Sequence, residues 1–303
     1  MFSIYYKLIR YIKMRKTLNY PMIATFIIDY SLNFGLFFVF FYFCANNLNI
    51  VNATVIGMMH MLLSVFHDPL HALLFPKMIS KAKLNYKFTS NDYWEIFKVY
   101  IQGTIIIAIA VYYGIVHFDY TTFYQTYMEI AVEYWIMILL KDYTSMYFLH
   151  QWMHKPENYW IHKHHHLVGV EVQGNHAYSI GPLDVFLENE CALFLYGFAK
   201  WLIYGSLRIH FAAFAFVGMH DVLVHSLNPY SPVHFNPLLE YFHKPTLEHN
   251  LHHMIQKDYY VFDSFRHVFD LKTRDQDLAK YNELCKTTIC FDLFVDEDKN
   301  IAY

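Results

Sequence analysis

The chain has 303 residues, of which 56% are hydrophobic, 20% are aromatic and only 16% are charged. A soluble domain carries about a quarter charged residues, so this composition favours a protein whose surface partly faces lipid. The net charge of −3 argues against a nucleic-acid partner, because phosphate binding requires a basic face. The 20 histidines are the compositional outlier, and imidazole is the commonest metal ligand in proteins.

The first twenty residues are basic and interleaved with apolar side chains, and they contain no acidic residue. Their basic residues are Lys7, Arg10, Lys13, Arg15 and Lys16. This composition is typical of a helix that lies on a membrane surface. The alternative is a mitochondrial presequence, which is also basic but richer in arginine and serine. We predict an interfacial arm over residues 1–20.

Six apolar stretches follow, and each is compared with the roughly 20 residues that a helix needs to cross a bilayer. They are Met22–Ala45, Val55–Phe75, Ile96–Phe118, Met128–Leu149, Leu183–Tyr204 and Ile209–Val224. The second would be kinked by Pro69, and the last two would form a hairpin, deep or half-immersed. Core helices of a soluble protein would need polar faces at helical spacing, which Leu36–Cys44 and Thr104–Tyr113 lack. The sequence therefore predicts an all-α, multi-spanning membrane bundle.

Lysines and arginines in the loops set the predicted orientation. The arm is basic and so is the next loop, whereas residues 46–53 and 118–127 contain neither Lys nor Arg. The loop lysines are Lys77, Lys81, Lys83 and Lys87. By the positive-inside rule, both basic segments and the later histidine clusters lie on the cytoplasmic side. We predict one domain, 1–303. Its parts are the arm, transmembrane helices over 22–149, a histidine cap over 150–182 and 225–270, a membrane hairpin over 183–224, and a polar tail over 271–303.

Three histidine boxes carry the candidate chemistry. They hold His150 and His154, then His162, His165 and His166, then His249, His252 and His253. Residues three and four apart share a helix face, so we expect each box to direct its imidazoles at a common point. Four ligands complete a structural zinc site, so eight donors predict two metal ions with positions left for oxygen or substrate. For the lone pair His67 and His71, a structural role without metal is the favoured interpretation.

The boxes and their neighbours also match a longer pattern. Its residues are Asp142, Tyr147, His150, His154, Tyr159, His162, Lys163, His165 and His166, with the aromatic-rich stretch that runs from His249 to Phe269. This pattern resembles the signature of the fatty acid hydroxylase and sterol desaturase superfamily, over roughly residues 96–270. The segment from Met219 to His225 is similar to a His-Asp…His element of sterol desaturases. The resemblance adds His225, and as a further candidate His220, to the predicted ligands.

Two positions depart from the family pattern. Family members have a histidine before Pro-Leu-Asp after the second box, where this chain has Gly181. The nearest histidine is His176, which becomes a further candidate ligand. Near the end of the pattern, a Trp-Asp pair is replaced by Phe265 and Arg266, which removes a carboxylate that could support a ligand imidazole.

The resemblance implies a pair of His-ligated iron ions at the cytoplasmic mouth of a four-helix membrane bundle. Such a centre activates dioxygen against an unactivated C–H bond, and no catalytic residue beyond the metal site is predicted. Zinc is the alternative occupant in a structure. Because imidazole ligands are neutral, nearby carboxylates should matter, and the candidates are Asp142, Asp221 and Glu248.

Electrons must come from another protein, since the sequence has no dinucleotide-binding, haem-attachment or iron–sulfur motif. The resemblance implies cytochrome b5 with its reductase as the donor, and endoplasmic reticulum as the membrane. The alternative compartment is the mitochondrial inner membrane. The predicted activity is hydroxylation or desaturation of a sterol. The alternatives are a fatty-acyl or sphingoid hydroxylase of the same superfamily, and a non-catalytic lipid-binding subunit of a larger membrane complex.

Overall fold

The computed structural model describes residues 16–44, 51, 55, 65–76, 79, 87–117, 123–167, 173–233, 244–255, 270–291 and 294–296. These residues are mostly helical, and their strands are only two or three residues long. The predicted all-α class is confirmed at this level. Some of the predicted features lie outside the described residues, namely the arm over residues 1–15, the loop lysines Lys77, Lys81 and Lys83, and the pair Phe265 and Arg266.

The helices of the first half lead to the first histidine box. They are α1 (Tyr20–Cys44), α2 (65–74), α3 (Ser90–Tyr112) and α4 (Phe123–Lys141). Helix α4 continues without a break through a π-helix, π1 (Asp142–Leu149), into the short helix α5 (His150–Met153). A π-helix inserts extra residues per turn and is frequent at functional sites. Here it ends directly at the first box.

The second half carries the remaining boxes. Its elements are a 3₁₀ helix (Gly174–Tyr178), α6 (Pro182–Val185), a second π-helix, π2 (Phe186–Glu190), α7 (Cys191–Tyr204), α8 (Phe211–Val224), α9 (Pro245–Ile255) and α10 (Leu271–Cys285). The π1 and π2 segments pack against each other. Two small strand pairs complete the fold. β1 (Lys16–Leu18) pairs antiparallel with β4 (Phe294–Asp296), and β2 (Val116–His117) pairs parallel with β3 (Ile209–His210).

Helix α3 begins earlier than its apolar stretch, at Ser90 and not at Ile96. The cause is a capping box, in which the Thr89 hydroxyl accepts from the Asp92 amide at 3.2 Å and the Asp92 carboxylate accepts from the Thr89 amide at 2.7 Å. The helix ends before Gly114, whose φ of 67° is readily adopted only by glycine. Among the described residues, α3 is the helix that is long and apolar enough to cross a membrane.

The main core lies where α4, α7 and α8 meet. Ile130, Tyr134 and Ile138 of α4 are buried there against Phe211 and Phe216 of α8. The Glu133 carboxylate of α4 joins the same helices through hydrogen bonds. It accepts from the Tyr196 hydroxyl of α7 at 2.7 Å, from the Lys200 ammonium of α7 at 2.5 Å and from the amide of His210, directly before α8, at 2.6 Å. A second core joins α1, α9 and α10 through Met22, Leu251 and Tyr281. The first core joins α4 to α8, and α8 in turn packs against α9.

Candidate metal centre

Nine buried or half-buried histidines form two groups, and the ligand atoms within each group lie within 4.8 Å of one another. The five-His site consists of His150, His154, His162, His166 and His252. The four-His site consists of His165, His225, His249 and His253. The two sites adjoin, since the stacked rings of His166 and His253 have centroids 4.6 Å apart.

The boxes are divided between the two sites, which corrects the expectation that each box serves one point. The pairs four residues apart stay together: His150 with His154, His162 with His166, and His249 with His253. His165 and His252 belong instead to the site opposite their own pair. Successive residues of a helix are rotated by roughly 100°, so neighbours such as His252 and His253 cannot point the same way. The HxxHH spacing therefore supplies two ligands to one site and one to the other.

Local structure brings the boxes together. His150 begins α5 immediately after π1. The second box lies on successive tight turns, where the His165 amide donates to the His162 carbonyl at 3.1 Å. Helix α9 begins with Pro245, which favours a first helical turn, and the hydroxyl of Thr246 donates to the Leu223 carbonyl at 3.1 Å. This bond fixes the third box beside the end of α8, where His225 follows.

Within both sites the Nε2 atoms face one another. In the five-His site, His150 Nε2 lies 3.0 Å from Nε2 of both His154 and His252. In the four-His site, His225 Nε2 lies 3.0 Å from His165 Nε2 and 2.8 Å from His249 Nε2. A neutral imidazole carries one N–H and one lone pair, so converging nitrogens cannot all be satisfied by each other. A shared cation satisfies them together, and both sites fit a metal ion that prefers nitrogen donors.

Burial keeps these imidazoles in the form that binds metal. Desolvation lowers the pKa of His225 to about 4 and that of His154 to about 2. For His150 and His165, desolvation together with the neighbouring imidazoles holds the pKa well below its usual value. The rings are therefore neutral at pH 7, and a neutral imidazole has the lone pair that ligation requires.

Two carboxylates that sequence reasoning missed lie behind the five-His site. Asp184 Oδ2 accepts from His162 Nδ1 at 2.8 Å, and Glu188 Oε1 lies 3.3 Å from His150 Nδ1 and 3.5 Å from His162 Nδ1. Both side chains are buried. Asp184 belongs to the Pro-Leu-Asp segment after Gly181, which was a usable signal. Glu188 lies on π2, and the apolar pattern contains no sign of a π-helix.

The three predicted carboxylates take other positions. Asp221 forms an ion pair with Lys141, and its backbone carbonyl accepts from His225 Nδ1 at 2.7 Å. Asp142 is buried at the start of π1, and its Oδ1 has no hydrogen-bond partner among the described residues. Glu248 is buried on α9, next to His249. Their influence on a metal stays a prediction.

Two candidate ligands lie outside both sites. His176 Nδ1 accepts from the Gln173 amide at 2.8 Å, and its ring stacks on Phe88 at a centroid distance of 4.7 Å. His220 lies on α8 with Nδ1 3.7 Å from the Asp221 carboxylate. At Gly181, an added Cβ would meet nothing within 4 Å, so the position is open. The nine grouped histidines are assembled without a ligand from any of these positions.

A third buried group contains Asp29, His67 and His71. Asp29 Oδ1 lies 3.1 Å from His67 Nε2 and 2.8 Å from His71 Nε2. The other ring nitrogens also have partners, with His67 Nδ1 3.1 Å from Asp68 Oδ1 and His71 Nδ1 2.9 Å from the Asn228 amide nitrogen. Here each ring nitrogen lies against a carboxylate or an amide, although the two rings themselves have centroids 4.5 Å apart.

A mostly apolar cavity of about 150 Å³ lies between α3 and α8. Its lining includes Val99, Gly103, Ile107, Leu193, Phe214 and Asp221. Asp221 is the residue whose carbonyl holds the imidazole of His225. Asp221 therefore contacts both the cavity and the four-His site, while none of the nine grouped histidines is among the residues that line the cavity.

No protein-family model matches the chain, and neither a curated protein nor a solved structure is significantly similar to it. The resemblance to the fatty acid hydroxylase and sterol desaturase superfamily thus rests on the sequence pattern in and around the histidine boxes alone and stays a prediction. The function proposed below depends on the geometry of the two histidine sites, on the neighbouring cavity and on the apolar surface.

Proposed function

We propose that the chain is an integral membrane oxygenase that holds two iron ions and uses dioxygen and external electrons to hydroxylate or desaturate a sterol. The observation that carries the proposal is the convergence of nine imidazoles into two adjoining sites. Iron, when bound, supplies the redox chemistry that activates dioxygen, which zinc cannot do. The five-His and four-His sites would hold one ion each.

The surface supports a membrane setting. Helix α3 has the length and composition of a membrane span. Large apolar side chains are exposed on α3, α4 and α7, among them Trp94, Phe97, Ile101, Ile105, Val132, Ile136, Phe194, Phe198 and Trp201. An apolar surface of this extent is unusual for a protein surrounded by water. We propose that α1, with its 25 residues, also spans the bilayer and that the histidine sites lie on its cytoplasmic side.

In this proposal, the cavity beside α3 binds the substrate and Asp221 orients a metal ligand. The cavity beside α3 binds a hydrocarbon segment of the lipid, and its apolar lining excludes water from it. The Asp221 carbonyl orients His225 through its Nδ1 proton, so that Nε2 faces the four-His site. The ion pair between Lys141 and Asp221 joins α4 to α8 at the same point. A lipid in this cavity would lie beside the residue that orients His225.

The same site suits a fatty-acyl or sphingoid substrate, because an apolar cavity accepts any hydrocarbon segment of suitable width. A third proposal is a non-catalytic subunit that binds lipid and metal within a larger membrane complex. Cytochrome b5 with its reductase is the proposed electron donor, and endoplasmic reticulum is the proposed compartment, with the mitochondrial inner membrane as the alternative.

A reconstituted assay distinguishes these proposals. The purified chain is loaded with Fe²⁺ in lipid nanodiscs, supplied with a cytochrome b5 reducing system, and incubated with a sterol or with an acyl lipid. Mass spectrometry should detect a product that has gained an oxygen atom or lost two hydrogen atoms, and chelation of the metal should abolish it. Iron-loaded protein that converts neither lipid class would contradict an oxygenase and favour the non-catalytic subunit.

A further inference from the structure

The two histidine sites differ in the groups that contact the Nδ1 atoms of their imidazoles. In the five-His site, buried carboxylates lie at the Nδ1 atoms of His150 and His162. In the four-His site, the neutral carbonyl of Asp221 holds His225 Nδ1. Buried carboxyl groups thus lie behind one site, whereas a backbone carbonyl lies behind the other.

Glu188 reaches two ligands because of the π2 turn. This turn joins α6 to α7 and packs against π1, which ends at His150. The Glu188 carboxylate therefore lies between imidazoles from two different boxes, 3.3 Å from His150 Nδ1 and 3.5 Å from His162 Nδ1. Asp184, at the end of α6, adds a hydrogen bond of 2.8 Å to His162 Nδ1. Two carboxylates from one short segment thus serve a single metal site.

This arrangement has a direct electrostatic consequence. A carboxylate at Nδ1 fixes the tautomer and raises the basicity of the ligating Nε2, and removal of such a partner lowers metal affinity by about 10–100-fold. Burial raises the pKa of both carboxyl groups, to about 8 for Glu188. A bound dication would favour their ionised forms, which would offset its charge because the imidazole ligands are neutral. Asp184 is 1% exposed and Glu188 is 5% exposed, so water screens these interactions little.

We infer that Asp184 and Glu188 are positioning residues that make the five-His site the tighter of the two, so that metal ions load in order, five-His site first. The inference rests on the proposed function, because it requires that both sites bind metal. It adds a difference between the two sites that the spacing of the boxes does not contain, since the second and third boxes each contribute to both sites.

Metal titration of the full chain tests this order. The purified protein in detergent is stripped with a chelator and titrated with Co²⁺, with visible absorption and mass-spectrometric metal analysis as readouts. Two successive steps are expected. Glu188→Gln should weaken the first step by about 10–100-fold and leave the second unchanged, and Asp184→Asn should act in the same direction. The matched control is Glu190→Gln on the same turn, whose carboxylate accepts from Gln102 Nε2 at 3.0 Å, and it should change neither step.

A wild-type measurement covers the case in which a variant does not fold. The absorption of Co²⁺ is weaker in five-coordinate than in tetrahedral sites, so the first equivalent should absorb less strongly than the second. Equal affinities, a tetrahedral spectrum for the first equivalent, or equal weakening of both steps by Glu188→Gln would overturn the ordered loading and leave two metal sites intact. Wild-type protein that binds no metal would instead contradict the proposed function.

Discussion

Two buried regions of this protein contain clustered histidines, and the two regions differ in the atoms that their ring nitrogens contact. One region is the double site, which consists of the five-His and four-His sites together. In it, Nε2 atoms face one another, as between His150 and His252 at 3.0 Å. In the group around Asp29, each ring nitrogen faces a carboxylate or an amide. Three donors lie within ligand distance in the second region as well, so proximity alone does not distinguish the two. The difference lies in which atoms can carry the protons.

Asn228 decides the protonation in the second region. The Tyr230 amide donates to Asn228 Oδ1 at 3.0 Å, which leaves the Asn228 NH₂ group to donate to His71 Nδ1 at 2.9 Å and to Thr25 Oγ1 at 2.9 Å. His71 Nδ1 is therefore an acceptor, so in the neutral ring Nε2 carries the proton and donates to Asp29. His67 lies between two carboxylates and donates from both nitrogens. Each ring nitrogen of this group thus has a hydrogen-bond partner without a metal, although Asp29 Oδ2 has none among the described residues. In the double site, by contrast, ring nitrogens converge on one another.

The largest expected effect comes from His165→Ala in the four-His site. Loss of this ligand should reduce bound metal from two to about one per chain and reduce lipid oxidation to background, because the two sites act as a pair. The matched control is His164→Ala, the adjacent histidine of the same box, which lies outside both groups and 3.4 Å from Ser179 Oγ. Metal analysis of the two purified variants makes the comparison. Full metal content in His165→Ala would contradict the double site.

His67→Ala should have the opposite profile. It removes the His67 imidazole, which lies between the carboxylates of Asp29 and Asp68. The two buried carboxylates are left without this partner, which costs about 3–5 kcal/mol of the free energy of unfolding. Metal content should stay at the wild-type value, because the residue binds no metal. Thermal unfolding in detergent and metal analysis measure both quantities. A loss of metal with unchanged stability would show that this group is a third metal site.

The metal-free protein should lose stability as the pH falls. Burial lowers the pKa of His225 to about 4 and holds that of His165 well below its usual value. The unfolded chain takes up these protons at about pH 6.5, whereas the folded chain does not, so unfolding is favoured by acid. The contribution of these imidazoles to stability is therefore full above about pH 6.5 and declines as the pH falls towards 4. Unfolding temperatures of the chelated protein at pH 5, 6 and 7 should rise in that order, and a flat profile would contradict neutral buried imidazoles.

The smallest effect is expected for Gly181→His. This change introduces, before Pro182, the histidine found there in the superfamily that the sequence pattern resembles. The position is open, since an added Cβ meets nothing within 4 Å. The free energy of unfolding should change by less than about 0.5 kcal/mol, as at other open surface positions. The number of bound metal ions should not change. A higher metal affinity in this variant would mean that the nine grouped histidines are an incomplete set.

The sequence was sufficient to name all nine histidines of the double site. The spacing of the three boxes predicts eight of them, and the similarity at Met219 to His225 adds the ninth. The division of the second and third boxes between the two sites was not predicted, because His165 and His166, like His252 and His253, were assigned to one helix face. Residue identity within a box does not show which neighbour each ring will meet.

The supporting carboxylates and the Asp29 group were not predictable from local pattern. Glu188 depends on a π-helical turn, whose extra residue per turn has no compositional signature. His67 and His71 depend on Asp29 from α1 and on Asn228 from the segment after α8, contacts that only tertiary packing creates. The early start of α3 was readable in principle, since Thr89 and Asp92 form a capping box.

X-ray absorption spectroscopy combined with metal analysis of the purified, folded wild-type protein addresses the double site directly. Two transition-metal ions per chain are predicted, with a first coordination shell dominated by imidazole nitrogen at about 2.0–2.2 Å and no sulfur. A folded protein that takes up no metal after loading with Fe²⁺, or that binds one ion through sulfur or carboxylate ligands, would contradict the assignment of the nine histidines as the ligands of two metal ions.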